Sequence, residues 1–253
     1  MIYFIFIKEE SVLEFITKFF TECWIYLLIS SIAAYLISSV NTSIIVTAVV
    51  KHEDIRKMGS GNAGFTNVLR CVGKVPAIIT FVGDFLKGVI SVLIPILLTI
   101  SWSTPEQLMH RQLLMYIAGI FAVVGHMFPI YYRFKGGKGV VTTASVIIMT
   151  DWRVLILELI VFAIFFVITK TISKCSLLCA GLYPFLTALT RYLDSLKKFP
   201  TLAPVPETTP EFILCCFVLT FLIGIAIIIM HRENIKRILN GTEQKITSKK
   251  SDK

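Results

Sequence analysis

Hydrophobic residues recur along this chain in long runs that short polar segments separate. The run from Phe212 to Met230 contains no charged residue, and the run from Ile78 to Ile100 contains only Asp84 and Lys87. An apolar run of about 18 or more residues is long enough to cross a bilayer as a helix. The pattern predicts an all-α membrane protein with about seven spans, near residues 24–50, 76–100, 112–131, 139–151, 153–169, 176–190 and 212–230.

The fourth and fifth spans come from one apolar stretch between residues 139 and 169, which Asp151 and Arg153 interrupt. A stretch of about 30 residues is too long for one span and short for two. We therefore expect two short helices joined by a tight turn at Thr150–Arg153.

The two ends of the chain differ from the hydrophobic centre. In residues 1–22, Phe15 and Phe19 belong to a set of apolar residues at helical spacing, which predicts an amphipathic extension at the membrane surface. Residues 244–253 are polar and lysine-rich, so we expect this tail to lie near anionic lipid headgroups. Residues 23–243 between them form the predicted membrane domain.

The distribution of basic residues predicts the orientation. The chain is 55% hydrophobic and 16% charged, with a formal net charge of +9, whereas soluble domains are about 25% charged. Seven spans place 17 Lys and Arg residues on one side and 7 on the other, with Lys87 inside a span. The positive-inside rule then puts the richer side, with the C-terminus, in the cytoplasm and the N-terminus outside. Topology accounts for the charge, and no nucleic-acid partner is needed.

The six cysteines form no CxxC pair, and no histidine near Cys175 and Cys179 completes a set of metal ligands. Small apolar packing is the simpler role for such cysteines. We therefore predict no disulfide, no metal and no cofactor.

The first loop whose residue types suit ligand binding runs from Met58 to Arg70. Its three glycines allow close approach to a ligand, and Arg70 offers a two-pronged contact to an oxyanion. Short hydrogen-bonding side chains fill the positions between them: Ser60, Asn62, Thr66 and Asn67. A merely flexible connection between spans is the alternative interpretation.

A second loop places Lys138 among the glycines Gly136, Gly137 and Gly139, at the predicted start of a helix. The free N–H groups and the dipole of a helix N-terminus favour anions. The spacing of a nucleotide-binding P-loop is absent, so a nucleotide hydrolase is rejected.

The third loop, His231–Glu243, continues the last span. His231 and Asn234 are three residues apart and share one helical face. A histidine at a membrane boundary is also often only a polar tip that reaches the interface. Inside the second span, Asp84 and Lys87 are expected to pair, because isolated charges in a membrane are costly. The pair either positions the first loop or contacts the ligand directly.

These three loops, in this order and spacing, resemble the signature regions of the bacterial acyl-phosphate:glycerol-3-phosphate acyltransferases, the PlsY family. The resemblance covers about residues 25–243. Ala63-Gly64-Phe65 and Ser38-Ser39-Val40-Asn41 depart from the family pattern, Cys179 lies where a serine is common, and the extension and the loop 194–211 are unusual. No charged motif residue is missing.

The resemblance implies transfer of a fatty acyl group from acyl-phosphate to the sn-1 hydroxyl of glycerol 3-phosphate, which gives lysophosphatidic acid and phosphate. It implies a multi-pass protein of the bacterial inner membrane whose active site faces the cytoplasm. It also implies contact with membrane lipids, and an upstream enzyme that forms the acyl-phosphate substrate. It assigns catalytic roles to Ser60, Arg70, Lys138 and His231. It places the phosphate and substrate contacts at Ser60, Asn62, Thr66, Asn67, Arg70, Gly136, Gly137, Lys138, Gly139, Ser176, His231 and Asn234.

Two questions stay open at the level of sequence. Either His231, with an ordinary pKa near neutrality, or a substrate phosphate could accept the hydroxyl proton. A transporter or flippase of an organic phosphate or lysophospholipid, or a lipid-binding scaffold, could use the same cationic loops. The acyltransferase class that pairs a histidine with an aspartate five positions later is excluded, since no histidine here has one.

Overall fold

A computed structural model describes residues 9–196 and 208–245, and within these residues the chain forms ten α-helices and no strand. The helices are α1 Glu9–Ser38, α2 Thr42–Lys51, α3 Phe65–Cys71, α4 Lys74–Leu98, α5 Pro105–Met127, α6 Val140–Thr150, α7 Trp152–Thr169, α8 Ile172–Ser195, α9 Pro210–Met230 and α10 Arg232–Leu239. Two short 3-10 helices lie at Ile55–Lys57 and Ile130–Tyr132. The prediction of an all-α protein is confirmed.

Six helical segments within the described residues are long and apolar enough to cross a membrane: Glu9–Lys51, α4, Pro105–Tyr132, α7, α8 and α9. The fourth predicted span, 139–151, is α6, which has 11 residues and so is only about 16 Å long. Asp151 ends α6 and caps α7 by accepting a hydrogen bond from the N–H of Arg153. The predicted tight turn therefore lies where the charges interrupt the apolar run.

The first predicted span differs from the structure at its start. Helix α1 begins at Glu9 and crosses the expected boundary between residues 22 and 23 without a break. Phe19 and Cys23 are buried against α5 and α9, together with Leu113 and Phe212. This neighbouring apolar surface keeps the described part of the extension in the helix bundle. The remaining residues of the extension, most of the loop 194–211 and most of the tail lie outside the described residues.

The predicted span 24–50 is also divided, because the chain bends between α1 and α2. Asn41 caps α2 with its side-chain oxygen, which accepts the N–H of Ile44 at 3.2 Å. The carbonyl of Val40 at the bend accepts a 2.9 Å hydrogen bond from Nζ of Lys87. A lysine from α4 thus satisfies a backbone group that a continuous helix would have satisfied internally.

The expected pair inside α4 is present and almost completely buried. Nζ of Lys87 lies 2.9 Å from Oδ1 of Asp84, and their side chains are 6% and 1% exposed. The hydroxyl of Thr142 in the first turn of α6 donates to the Asp84 carbonyl at 3.3 Å. Lys87 of the pair therefore joins α4 to the bend after α1, while the backbone of Asp84 joins it to the start of α6, which supports a positioning role.

A second charged cluster lies where α6 meets α7 and α8 ends. Arg153 contacts both Asp151 and Asp194, at 2.8 and 2.6 Å. Arg191 lies 3.4 Å from Asp151 and donates to the carbonyl of Thr150 at 2.9 Å. These contacts fix the turn between α6 and α7 to the end of α8.

Candidate functional site

The three predicted loops meet at one end of the helix bundle. Arg56, just before the first loop, donates to the carbonyl of Tyr132 beside the second loop at 2.8 Å. Lys138 in the second loop donates to Oδ1 of Asn234 in α10. Three segments that are far apart in sequence therefore form one site.

Lys138 stands at the centre of this site. Its ammonium group is half-buried and bonded to Asn234. Burial, together with the positive charges of Arg237 and Arg70 and against the opposing effect of Glu243, lowers the pKa of Lys138 to about 8. Several positive charges lie together here with too few carboxylates to neutralise them, and such a cluster favours the binding of a polyanionic ligand. The charge of Arg70 in the first loop thus acts on Lys138 in the second.

Glu243 belongs to the site, although we did not single it out from the sequence. Its Oε1 accepts from Nδ2 of Asn234 at 2.7 Å and from the hydroxyl of Ser173, and its Oε2 accepts from Nε of Arg237 at 2.7 Å. Burial raises its pKa, but these hydrogen bonds outweigh that effect and hold the pKa below its usual value. Glu243 orients Asn234 and Arg237 toward Lys138. Its position at the end of the third loop was the available signal.

His231 is the residue between α9 and α10, and its ring is buried. Nδ1 lies 2.8 Å from the carbonyl oxygen of Ile227. Because a carbonyl only accepts, Nδ1 carries the proton and Nε2 is left as an acceptor. Burial, with the nearby charge of Lys138, lowers the pKa of His231 to about 4. The ring is therefore neutral at pH 7 and offers a hydrogen-bond acceptor.

The first loop contributes one cation and three partly accessible polar side chains. Arg70 lies in the last turn of α3 and is exposed. Ser60, Asn62 and Thr66 are exposed or half-buried, and their side chains form no hydrogen bond to another described residue. They remain available to a ligand that enters between the loops.

Asn67 makes contacts within the first loop that were not expected from the sequence. Its side-chain N–H groups donate to the carbonyls of Ile55 and Met58, at 3.2 and 3.0 Å, and its oxygen accepts the N–H of Ser60 at 3.0 Å. These bonds use the amide completely, and the side chain is buried. These contacts hold the first loop in shape and give no support to a direct phosphate contact at Asn67, which stays a prediction.

The glycines of the second loop also differ from the predicted backbone nest. The N–H groups of Gly136 and Gly137 donate to the carbonyls of Met127 and His126, both at 3.1 Å. A Cβ at Gly137 would lie 2.2 Å from Nε2 of His126 and 2.5 Å from the Ala63 carbonyl. These two glycines therefore serve close packing between α5 and the first two loops, and their N–H groups are not free for phosphate.

Gly139 caps the start of α6 with a positive φ of 81°, and no side chain caps this helix. The N–H groups of Lys138 and Gly139 form no hydrogen bond to another described residue. The part of the predicted anion site that remains is therefore the uncapped N-terminus of α6, with Lys138 directly before it.

Ser176 lies near the start of α8, one turn after the Ser173 that contacts Glu243. Its hydroxyl donates to the carbonyl of Ile172 at 3.1 Å, which leaves the oxygen able to accept. The side chain is buried. Ser176 lies on the same helical face as Ser173, which contacts Glu243.

Fold and site together define a polytopic α-helical membrane protein with a cationic binding site at one end of the bundle. The family model described as glycerol-3-phosphate acyltransferase matches residues 28–241. The chain belongs to the glycerol-3-phosphate acyltransferase family.

Two relatives show the extent of the similarity. The glycerol-3-phosphate acyltransferase of Clostridioides difficile (strain 630) is 34% identical over 229 residues, which cover 90% of this chain and 99% of the relative. The glycerol-3-phosphate acyltransferase of Bacillus subtilis (strain 168) is 36% identical, over 85% of this chain and 95% of the relative. The match extends over nearly the whole length of both proteins.

Solved structures agree with this assignment. The crystal structure of PlsY (YgiH), an integral membrane glycerol 3-phosphate acyltransferase, in its glycerol 3-phosphate form has a TM-score of 0.68 and 29% identity, and covers 88% of this chain and 96% of that chain. Its lysophosphatidic acid form has a TM-score of 0.66 and 28% identity. The resemblance to the PlsY family, inferred from the loops, is confirmed.

Proposed function

We propose that this protein transfers a fatty acyl group from acyl-phosphate to the sn-1 hydroxyl of glycerol 3-phosphate. The hydroxyl oxygen attacks the acyl carbonyl carbon, the bond between that carbon and the phosphate oxygen breaks, and lysophosphatidic acid and phosphate leave. Both substrates carry a phosphate group. The observation that supports this reaction best is the group of cations Lys138, Arg70 and Arg237 in one site, with Glu243 opposing them.

Acyl-phosphate is already an activated mixed anhydride, so no covalent enzyme intermediate is required. In our proposal Lys138 and Arg70 bind the phosphate groups, and the N-terminus of α6 adds its dipole. Ser60, Asn62, Thr66 and Ser176 supply further hydrogen bonds. Holding both substrates in contact is itself a large contribution to the rate.

We assign His231 the task of orienting the attacking hydroxyl, with a substrate phosphate as the proton acceptor. A base with a pKa of about 4 is a weak acceptor at neutral pH, whereas the second pKa of a phosphate monoester is about 6. The unprotonated Nε2 can accept a hydrogen bond from the neighbouring sn-2 hydroxyl of glycerol 3-phosphate, which keeps the sn-1 oxygen directed at the acyl carbon and leaves the sn-1 proton to the phosphate.

This assignment predicts the pH dependence of a His231→Asn variant. Because the pKa of His231 is lowered to about 4, the ring stays neutral as the pH falls through its ordinary titration range near 6.5. We expect the ratio of wild-type to variant kcat/KM to stay constant, within about twofold, from pH 7.5 to pH 5.5. Titration of the substrates cancels in this ratio. A ratio that collapses near pH 6.5 would contradict a neutral, buried His231.

The central experiment measures product formation by the purified protein. Acyl-phosphate and glycerol 3-phosphate should give lysophosphatidic acid and phosphate in equal amounts, and a chelator should leave the rate unchanged. An equal rate with acyl-CoA would refute the donor assignment. Uptake of glycerol 3-phosphate into proteoliposomes without product would favour a transporter, although a site at one end of the bundle is unlike the midplane site of transporters.

We further propose that the site faces the cytoplasm of a bacterial inner membrane, on the basis of the 17 to 7 distribution of basic residues. Single cysteines at Lys57, Phe134 and Lys245, in a variant without native cysteines, should not react with an impermeant reagent added to intact cells. A cysteine at Ser103, at the other end of the bundle, should react. Labelling at Phe134 with protection at Ser103 would invert the topology.

A further inference from the structure

The second loop begins with a turn whose backbone conformation is unfavourable for its sequence. Arg133 and Phe134 both have φ of 57°, and the N–H of Lys135 donates to the carbonyl of Tyr132 at 3.3 Å. Two central residues with positive φ and this hydrogen bond are typical of a type I′ turn, which Gly, Asn and Asp dominate. Arginine and phenylalanine carry a Cβ that opposes the left-handed conformation. The turn therefore requires support from elsewhere.

Arg56 supplies contacts on both sides of this turn. Its NH1 group donates to the carbonyl of Tyr132 at 2.8 Å and to the carbonyl of Lys135 at 3.3 Å. The two acceptors directly flank the residues with positive φ. One guanidinium group thus bridges the ends of the turn from a segment 76 positions earlier in the chain.

The guanidinium of Arg56 is itself held in place. Nε lies 3.0 Å from both carboxylate oxygens of Asp54, and NH2 lies 2.6 Å from Oδ2. Asp54 also accepts the N–H of Arg56 at 2.9 Å. Hydrogen bonds from Arg56 lower the pKa of Asp54 despite partial burial, so the carboxylate stays charged and the pair stays formed at neutral pH.

The segment that carries Arg56 is joined to the first loop. Asn67 donates to the carbonyls of Ile55 and Met58, and it lies one turn before Arg70 in α3. Asn67 therefore joins the helix that carries Arg70 to the segment Ile55–Met58. Arg56, within that segment, joins it to the turn that ends three residues before Lys138.

We propose that Arg56 is a positioning residue that holds the strained turn Tyr132–Lys135 and thereby sets the distance between Arg70 and Lys138. This inference rests on the proposed function only in treating Arg70 and Lys138 as the phosphate ligands. Arg56 bonds to Asp54 and to backbone carbonyls, so it acts on the substrate through the loop and not by contact.

The test compares Arg56→Gln alone with two double variants. Displacement of the loop should raise KM for glycerol 3-phosphate about ten- to a hundredfold, the effect of one or more charge-assisted hydrogen bonds, and leave kcat within about threefold. Adding Phe134→Gly should restore most of the loss, because glycine adopts positive φ without a Cβ clash. Adding Phe134→Leu should restore nothing, since leucine keeps the Cβ. Lys57→Gln, at the exposed neighbouring position, serves as the charge control and should match wild type.

A measurement without a donor separates this inference from the proposed reaction. Stabilisation of the detergent-purified protein against heat by glycerol 3-phosphate reports binding alone, and Arg56→Gln should shift its concentration dependence by the same factor. An unchanged concentration dependence in Arg56→Gln, or a loss that Phe134→Gly and Phe134→Leu affect equally, overturns the positioning role. Failure of acyl-phosphate as donor, with the binding shift and its rescue intact, overturns only the proposed reaction.

Discussion

Replacing Lys138 by alanine is expected to lower kcat/KM for glycerol 3-phosphate by at least about a hundredfold. The ammonium group bonds to Asn234, and the charges of Arg70 and Arg237 act on it, so its loss removes charge from the site. Hydrogen bonds to charged groups contribute about 1.5–3 kcal/mol each, and two such contacts to phosphate oxygens account for this factor. The measurement is the initial rate against glycerol 3-phosphate concentration, on protein that elutes as a single species in gel filtration.

Three matched variants refine this prediction. Lys138→Arg should be milder than Lys138→Ala, because it keeps the charge at the start of α6. Arg70→Lys should lose about 10- to 100-fold, because lysine is a point charge and lacks the planar two-point contact. Lys135→Ala should be nearly silent, since this side chain is exposed. Wild-type rates in both Lys138→Ala and Arg70→Lys would show that the loops determine topology only.

Replacing Asp84 by alanine is expected to destabilise the fold more than any change within the loops. The substitution leaves Lys87, whose side chain is 6% exposed, as an uncompensated buried charge, which costs about 3–5 kcal/mol. For a chain of this length that corresponds to a fall of roughly 10 °C in the thermal midpoint. Thermal unfolding in detergent measures it directly.

The double variant Asp84→Asn with Lys87→Met tests whether charge is the cause. Neutral side chains of similar volume can replace a buried ion pair at little cost, so this protein should recover most of the lost midpoint. Recovery should be incomplete, because methionine cannot donate to the carbonyl of Val40 as Lys87 does. A double variant as unstable as Asp84→Ala would show that packing, and not charge, dominates at this position.

The spans could be predicted closely because the bilayer imposes a physical length on each helix. The break between α6 and α7 at Asp151 could be predicted from the charges within an apolar run that was too long for one span, and the structure contains a turn there. Continuation of α1 from Glu9 could not be predicted, because it depends on an apolar surface that Met109, Leu113 and Phe212 form only after folding. The bend at Val40–Asn41 likewise depends on Lys87, 47 positions later.

The candidate site was only partly predictable. Lys138 and Asn234 were singled out from separate loops, and the structure joins them. The contacts by which Glu243, Arg56 and Asn67 hold other residues were not predicted, because their partners lie elsewhere in the chain. An asparagine that holds a loop and one that binds a ligand look alike until the acceptors of the amide are known.

The sequence by itself therefore determined the membrane class, the helices and the chemical character of the three loops. Composition and periodicity report local preferences, and the cost of burying charge in a bilayer makes those preferences strict. Only the tertiary structure decided which N–H groups stay open to a ligand. Those of Gly136 and Gly137 are used by α5, whereas those of Lys138 and Gly139 are not. Each hydrogen-bonding group takes few partners, and long-range packing selects which partner it takes.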